Sequence, residues 1–258
     1  MDKEHILGLS GMPAYSPSYP KGPYRFINRE YFIIVYKSDP KIVRFAVPEP
    51  LIPNKDNIVL FEFMNMPDSS GFGSYTESGM VIPCTLDKEE VNYTVQMFLD
   101  DDPPITAGRE IWGFPKKTAE PSLKVIRDTL TGSLVYAGQQ VALGTMGYKH
   151  ENLLRTDKQN EMADIKAITA KLAKTQVNLK LIPNVTGNGM DVAQLIAYNM
   201  VDITVKGAWA GPARLHLRSH VNAPVADFPV VEMIGGSHFI ADITLPYGRV
   251  VHDYLKKS

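Results

Sequence analysis

YFIIVY, residues 31–36, consists wholly of aromatic and β-branched side chains. Such residues pack well on a pleated sheet and lose rotamer freedom in a helix. The same texture returns along the chain, interrupted by 19 glycines and 19 prolines that mark turns. Working outward from 31–36, strands are predicted at 58–64 (IVLFEFM), 92–99 (NYTVQMFL), 130–136 (LTGSLVY), 140–147, 177–182 (VNLKLI), 202–206 and 212–218. A final pair is predicted at 238–245 and 249–255.

Three segments read as helix. Asp39 is placed to cap a short one that starts at Pro40 and ends before Pro48. In 161–174 (EMADIKAITAKLAK), Met162, Ile165, Ile168 and Leu172 recur at spacings of three and four, on one side of a helix. The third, 190–198 (MDVAQLIAY), follows the turn TGNG. Helices scattered among more numerous strands argue for a mainly β (α+β) protein and against a βαβ nucleotide fold. At 258 residues and 44% hydrophobic content, one extended domain, 1–258, is expected.

Charge narrows the partners. Lys plus Arg number 27 against 28 Asp plus Glu, with no long like-charged run, so no nucleic-acid groove is expected. No apolar run approaches the roughly 20 residues of a membrane span, and MDKEHILGLS lacks the apolar core of a secretion signal. The expectation is a cytoplasmic protein with no membrane partner. Cys84, the single cysteine, sits beside Val81, Ile82 and Pro83 and reads as a buried small hydrophobe. The glycine-bearing stretches 69–79 (SSGFGSYTESG) and 182–189 (IPNVTGNG) match no phosphate-binding spacing and read as turns. Six histidines are dispersed, and the one close pair, His216 and His220, has no acidic neighbour at a metal-ligand spacing, so no metal is expected.

Four features point to chemistry. In GREIWGFPKK, residues 108–117, Lys116 and Lys117 follow Trp112, Gly113, Phe114 and Pro115. A lysine in such an apolar setting loses its proton more readily and becomes a nucleophile. Glu62 shares a strand face with Leu60 and Met64, an apolar setting for a carboxylate. Glu77 follows Tyr75 in the Gly-rich segment, and Arg29 enters the aromatic strand, available to pair with a carboxylate or hold an anion. An amine nucleophile, two carboxylates and an arginine, with no cofactor motif, describe Schiff-base chemistry on a small oxo acid. Its iminium is an electron sink, so a carboxylate β to it leaves as carbon dioxide without a metal or cofactor.

At this point the residues carry a resemblance. YSPSYPKGPYRFINREYFIIVY (15–36), VPEPL (47–51), FGSYTESG (72–79), GREIWGFPKK, TMGYKH (145–150), LKLIPN (179–184), AWAGPARLHL (208–217) and SHFIADITLP (237–246) together resemble the acetoacetate decarboxylase family over nearly the whole chain. The resemblance implies that Lys116 forms the Schiff base and Lys117 is its cationic neighbour. It places the family's arginine at Arg29 and its two glutamates at Glu62 and Glu77. It also implies decarboxylation of a small β-keto acid, acetoacetate, to acetone and carbon dioxide, antiparallel sheets around a closed cone-like β-barrel, and a large homo-oligomer. Two alternatives accompany it: a Schiff-base aldolase-dehydratase acting on small oxo acids, and a non-catalytic small-molecule binder on the same scaffold. Two departures stand out: bulky WGF before the lysines, and a 156–176 region longer and more helical than the family needs, a feature expected to alter packing between subunits.

A free lysine titrates near 10.4, and lowering that to about 6–7 takes roughly 5 kcal/mol of differential interaction. Desolvation and repulsion from Lys117 compete as the cause, the choice of alternatives that acetoacetate decarboxylase itself exemplifies. In an extended chain adjacent side chains point to opposite faces, so Lys117 is expected to aim away from Lys116 and desolvation to dominate. Trp112 and Phe114 are the nearest candidates for the apolar wall. Pro115 is the residue able to break that extended geometry.

Overall fold

The computed structural model describes residues 1–155 and 158–256. Its strands in chain order are Tyr24–Lys37 (β1), Ile52–Pro53 (β2), Ile58–Ser69 (β3), Gly73–Leu86 (β4), Glu89–Leu99 (β5), Lys116–Thr118 (β6), Glu120–Ile126 (β7) and Thr129–Tyr136 (β8). They continue with Gln139–Gly147 (β9), Glu151–Asn152 (β10), Gln176–Pro183 (β11), Met190–Tyr198 (β12), Val201–Gly211 (β13), Ala213–Leu217 (β14), Glu232–Leu245 (β15) and Arg249–Asp253 (β16). The helices are Lys3–Leu7 (α1), Pro40–Ala46 (α2), Asp102–Ala107 (α3) and Lys158–Leu172 (α4).

A twelve-stranded mixed sheet runs in the order β10-β13-β15-β1-β3-β4-β5-β11-β12-β16, with β2 added to β4 and β6 to β5. A four-stranded sheet, β14-β9-β8-β7, packs against it. Each central strand of the large sheet is covered on both faces. Phe32, Ile34, Val59, Phe61, Phe63 and Met80 point into the core shared with the small sheet. Alternate residues of the same strands point into a second apolar cluster that holds the cavity described below. Fully burying each large apolar side chain contributes about 1.5–3 kcal/mol, so the inter-sheet core is what holds the cavity wall rigid.

Four sequence expectations change. The closed barrel is not formed: among the described residues the sheet ends at β10 and β16, which do not pair with each other. Its terminal strands are only two and five residues long, too little backbone to ladder across a gap. Helix α4 covers the cavity instead, contributing Ile168 and Leu172 to its lining. Residues 190–198 form β12, not a helix, because the TGNG turn folds them back onto β11 and β16 takes the other edge. Both edges of the backbone are thereby hydrogen-bonded, which overrides the local preference of Ala, Gln and Leu. The stretch 69–79 is a turn only at its start; from Gly73 it is the 14-residue strand β4, paired to β3 and β5. In α4, Ile168 is buried as expected, but Met162 is 72% exposed.

Other expectations hold. Asp39 caps α2, its carboxylate accepting from the Lys41 and Ile42 amides, with Pro40 in the first turn. Cys84 is buried.

Candidate active site

Arg29 enters the site through an irregularity in β1. The pairing of β1 with β15 slips between Phe26 and Arg29, and Asn28 there takes a φ of 54°. This β-bulge resets the alternation. Phe26 and Arg29 consequently face the same cavity although they are three residues apart, and Tyr31, Ile33 and Val35 follow on that side. The Asn28 amide donates to Asp242 Oδ1 at 2.8 Å, and Lys206 Nζ donates to Asn28 Oδ1 at 2.7 Å, pinning the bulge. On β3 the cavity face carries Leu60, Glu62 and Met64, as the alternation predicts, and β4 adds Tyr75 and Glu77.

The segment 108–117 is a π-helical turn, Gly108–Trp112, leading into β6. Two glycines there are required by space. A Cβ on Gly108 would lie 2.7 Å from Lys116 Cδ, so the lysine stem rests directly on that backbone. Gly113 ends the turn at φ 71°, and a Cβ on it would meet Lys180 Cα at 2.5 Å. The Phe114 amide closes back onto the Gly108 carbonyl at 3.0 Å, and Arg109 Nη1 donates to the Lys116 carbonyl at 3.1 Å. Strand β6 then runs parallel to β5, with Lys116 beside Met97 and Lys117 beside Phe98.

Adjacent residues of β6 therefore part company. Lys116 is buried at 6% exposure and lines the cavity; Lys117 is exposed on the other side, where its ammonium donates to the Asn222 carbonyl and lies 5.3 Å from the Tyr136 ring centre. Phe114 lines the cavity, its ring centre 4.9 Å from Lys116 Nζ. Trp112 is not a wall residue. It sits behind Phe114, wedged between Tyr24 and Tyr247, with Nε1 donating to the Pro246 carbonyl at 3.0 Å.

Lys116, Glu77 and Arg29 converge within a cavity of about 340 Å³, which Lys171 and Lys174 also line. Lys116 Nζ lies 2.9 Å from Glu77 Oε1 and donates to the Pro104 carbonyl at 3.0 Å. Arg29 Nη2 lies 3.6 Å from Glu77 Oε2 and 3.1 Å from Met64 Sδ, and its guanidinium is 4.7 Å from the Tyr31 ring centre. Glu77, at 3% exposure, thus bridges two cations. Burial lowers the Lys116 pKa; Glu77 opposes the shift and the Arg29 charge adds to it. Burial raises Glu62 to about 7, with the Glu77 carboxylate adding to the rise and Arg29 opposing it.

All five expected residues are thus located, four in the cavity and Lys117 outside it. The cation that neighbours Lys116 in the cavity is Arg29. The carboxylate ion-paired with Arg29 is Glu77; among the described residues Glu62, on its apolar strand face, is not within ion-pair distance of it. Three phenols escaped the sequence reading: Tyr31, Tyr75 and Tyr198 all line the cavity, and burial raises each of their pKa values, keeping the hydroxyls protonated. The signal for two was present, since Tyr31 and Tyr75 stand two residues from Arg29 and Glu77 on the same strand faces. Tyr198 was hidden by the helical reading of 190–198.

A mostly apolar cavity with a desolvated lysine, a bridging carboxylate and a buried guanidinium defines a class of enzyme site for small anionic carbonyl compounds. Comparison with known proteins narrows that class. Residues 11–255 match the family model for acetoacetate decarboxylase. The chain is 52% identical over 247 residues to acetoacetate decarboxylase 2 of Mesorhizobium japonicum, covering 96% of this chain and 90% of that one. A solved acetoacetate decarboxylase structure superposes with a TM-score of 0.92 at 42% identity, covering 99% and 100% of the two chains. The enzyme from Legionella pneumophila gives 0.89 at 46%, covering 97% and 95%. The chain belongs to the acetoacetate decarboxylase family.

Proposed function

We propose that the chain converts acetoacetate to acetone and carbon dioxide through an imine at Lys116, with no cofactor. The observation that carries this reading is the setting of Lys116: a buried amine whose pKa is lowered, held against Glu77 in a mostly apolar cavity. The free amine adds to the ketone carbon, and loss of water leaves a protonated imine. The bond to the carboxylate carbon then breaks; its electron pair moves to the iminium nitrogen, giving an enamine and carbon dioxide. A proton returns to the terminal enamine carbon, and water hydrolyses the iminium to release acetone and Lys116.

Glu62 supplies that proton and is reprotonated from solvent for the next turnover, because a carboxyl near 7 exchanges protons readily at neutral pH. Glu77, between Lys116 and Arg29, orients the amine. The sequence alone suggests Glu77 for proton transfer or orienting the substrate and Glu62 for supporting Arg29 or polarising the pocket; the ion pair of Arg29 with Glu77 and the raised Glu62 favour this division instead. Arg29 captures and orients the anion without a tight pair to the leaving carboxylate, since it is already engaged by Glu77; a tight pair would stabilise the ground state. Desolvation, aided by Arg29, is the main tuning of Lys116, because Lys117 stands on the opposite face. The same reading takes the protein to be a cytoplasmic homo-oligomer. It is supported by family membership, by exposed Phe45 and by the finding that no helix among the described residues is long and apolar enough to cross a membrane.

Borohydride reduction in the presence of acetoacetate tests the mechanism. An adduct whose mass maps to Lys116, together with carbon dioxide release, is the expected outcome. An adduct on Lys117, or none in an active preparation, would end the assignment.

A further inference from the structure

The lysine-bearing turn is tethered from outside the cavity. Tyr19, 3% exposed, donates its phenol hydrogen to Glu110 Oε2, a contact spanning 91 residues of sequence. Glu110 belongs to the π-helical turn Gly108–Trp112. Further ties to this turn all end on backbone carbonyls: Lys180 Nζ donates to Ile111 at 3.3 Å and Asn178 Nδ2 to Trp112 at 3.3 Å, beside the Arg109, Trp112 and Phe114 bonds given above. The bond to Glu110 is the one in which a carboxylate of the turn is the acceptor, and it is charge-assisted.

The N-terminal segment is built around this contact. Ser10 Oγ donates to the Tyr19 carbonyl at 2.7 Å. A Cβ on Gly11 would meet Tyr19 Oη at 2.5 Å and Glu110 Oε2 at 2.9 Å, so the Gly11 backbone lies directly over the pair. Burial and the neighbouring Glu110 carboxylate both raise the Tyr19 pKa, keeping the phenol a donor. The opposite end of the turn is Gly108, on which the Lys116 stem rests: its missing Cβ would stand 2.7 Å from Cδ, 2.9 Å from Cε and 3.1 Å from Nζ. A displacement of the turn is therefore a displacement of Lys116.

We propose that Tyr19 and Glu110 are positioning residues, holding the turn so that Gly108 fixes the Lys116 amine in its dry site. Neither lines the cavity, so both act through Lys116. The catalytic consequence rests on the reading of Lys116 as the nucleophile; the positional one does not.

Tyr19→Phe removes the donor and leaves the Glu110 carboxylate without it. Glu110→Gln keeps an oxygen acceptor for Tyr19. Gly11→Ala presses a methyl onto the pair from outside and serves if Tyr19→Phe does not fold. The pH dependence of Lys116 labelling by an amine-selective reagent is measured by peptide mass in each folded protein, with kcat, KM and Tm alongside. Loosening admits water to Lys116, so Tyr19→Phe and Gly11→Ala should raise its labelling midpoint by about half a unit or more. Both should lower kcat about tenfold with KM changed less than about threefold, the effect of a misplaced reacting group. Glu110→Gln should stay closer to wild type in both readouts. A labelling midpoint and kcat equal to wild type in Tyr19→Phe or Gly11→Ala, even with Tm lowered, would overturn the proposal. If Lys116→Ala retained decarboxylation, the catalytic reading would fall, while the labelling profile would still decide the positional one.

Discussion

Replacing Glu77 by Gln is expected to make Lys116 a freer amine and a worse catalyst at once. The carboxylate lies 2.9 Å from the ammonium nitrogen. At that separation and an effective dielectric of about 20, the attraction favouring the protonated lysine is ~6 kcal/mol, or about 4 pKa units at most. Side-chain relaxation and water entry reduce this, so a fall of the Lys116 midpoint by about 1 to 4 units is expected. The sign is fixed by charge: Glu77 opposes the shift caused by burial, and the Arg29 charge remains. Covalent labelling of Lys116 as a function of pH follows the free-amine fraction without reference to which catalytic step is slow. Turnover should nevertheless fall at least about tenfold, because the amine loses the group that orients it. A labelling midpoint that is unchanged or higher in the folded variant would refute the reasoning, since Glu77 would then not stabilise the ammonium form. Near-normal turnover across the pH range would remove Glu77 from the reacting site.

Two further outcomes follow from the same geometry. Lys117→Met should shift the Lys116 labelling midpoint by about one unit or less, because the Lys117 charge lies on the solvent side of β6; a shift above about two units would establish repulsion as the main tuning. Glu62, raised from 4.5 to about 7, binds a proton in the folded state that the unfolded chain has already lost, so its contribution to stability is full below about pH 4.5 and is lost as pH rises through about 7. Urea unfolding should accordingly show wild type losing up to about 3 kcal/mol more than Glu62→Gln between pH 4.5 and pH 8; parallel pH profiles would mean that Glu62 titrates normally.

Much of this site was legible wherever strict alternation governs. Leu60, Glu62 and Met64 share the cavity face, and Lys116 and Lys117 diverge, because side-chain direction in a strand has a period of two. Legibility failed where pairing partners, absent from local sequence, decide the backbone. Residues 73–79 look like a turn until β3 and β5 flank them, and with that strand unrecognised, the joint hold of Glu77 on Lys116 and Arg29 went unseen. The bulge at Asn28 is equally non-local: its amide and side chain are satisfied by Asp242 and Lys206, more than 170 residues away. The barrel expectation came from resemblance, and the short terminal strands set the outcome instead.

Strand β1 interleaves two jobs at single-residue resolution. Tyr31, Ile33 and Val35 face the reaction chamber, while Phe32, Ile34 and Tyr36 face the core between the sheets. Substitution and deletion therefore have unlike evolutionary prospects here. A change of size at Ile33 or Val35 reshapes the space beside the substrate without disturbing the packing that keeps the sheets together, so selectivity can drift while the fold stands still. Loss of one residue between Arg29 and Phe32, in the regular stretch past the bulge, would put the two parts of the strand out of phase, sending either the guanidinium to the wrong side or the core aromatics into the chamber. The lineage can explore new substrates by letters, but not by reading frame.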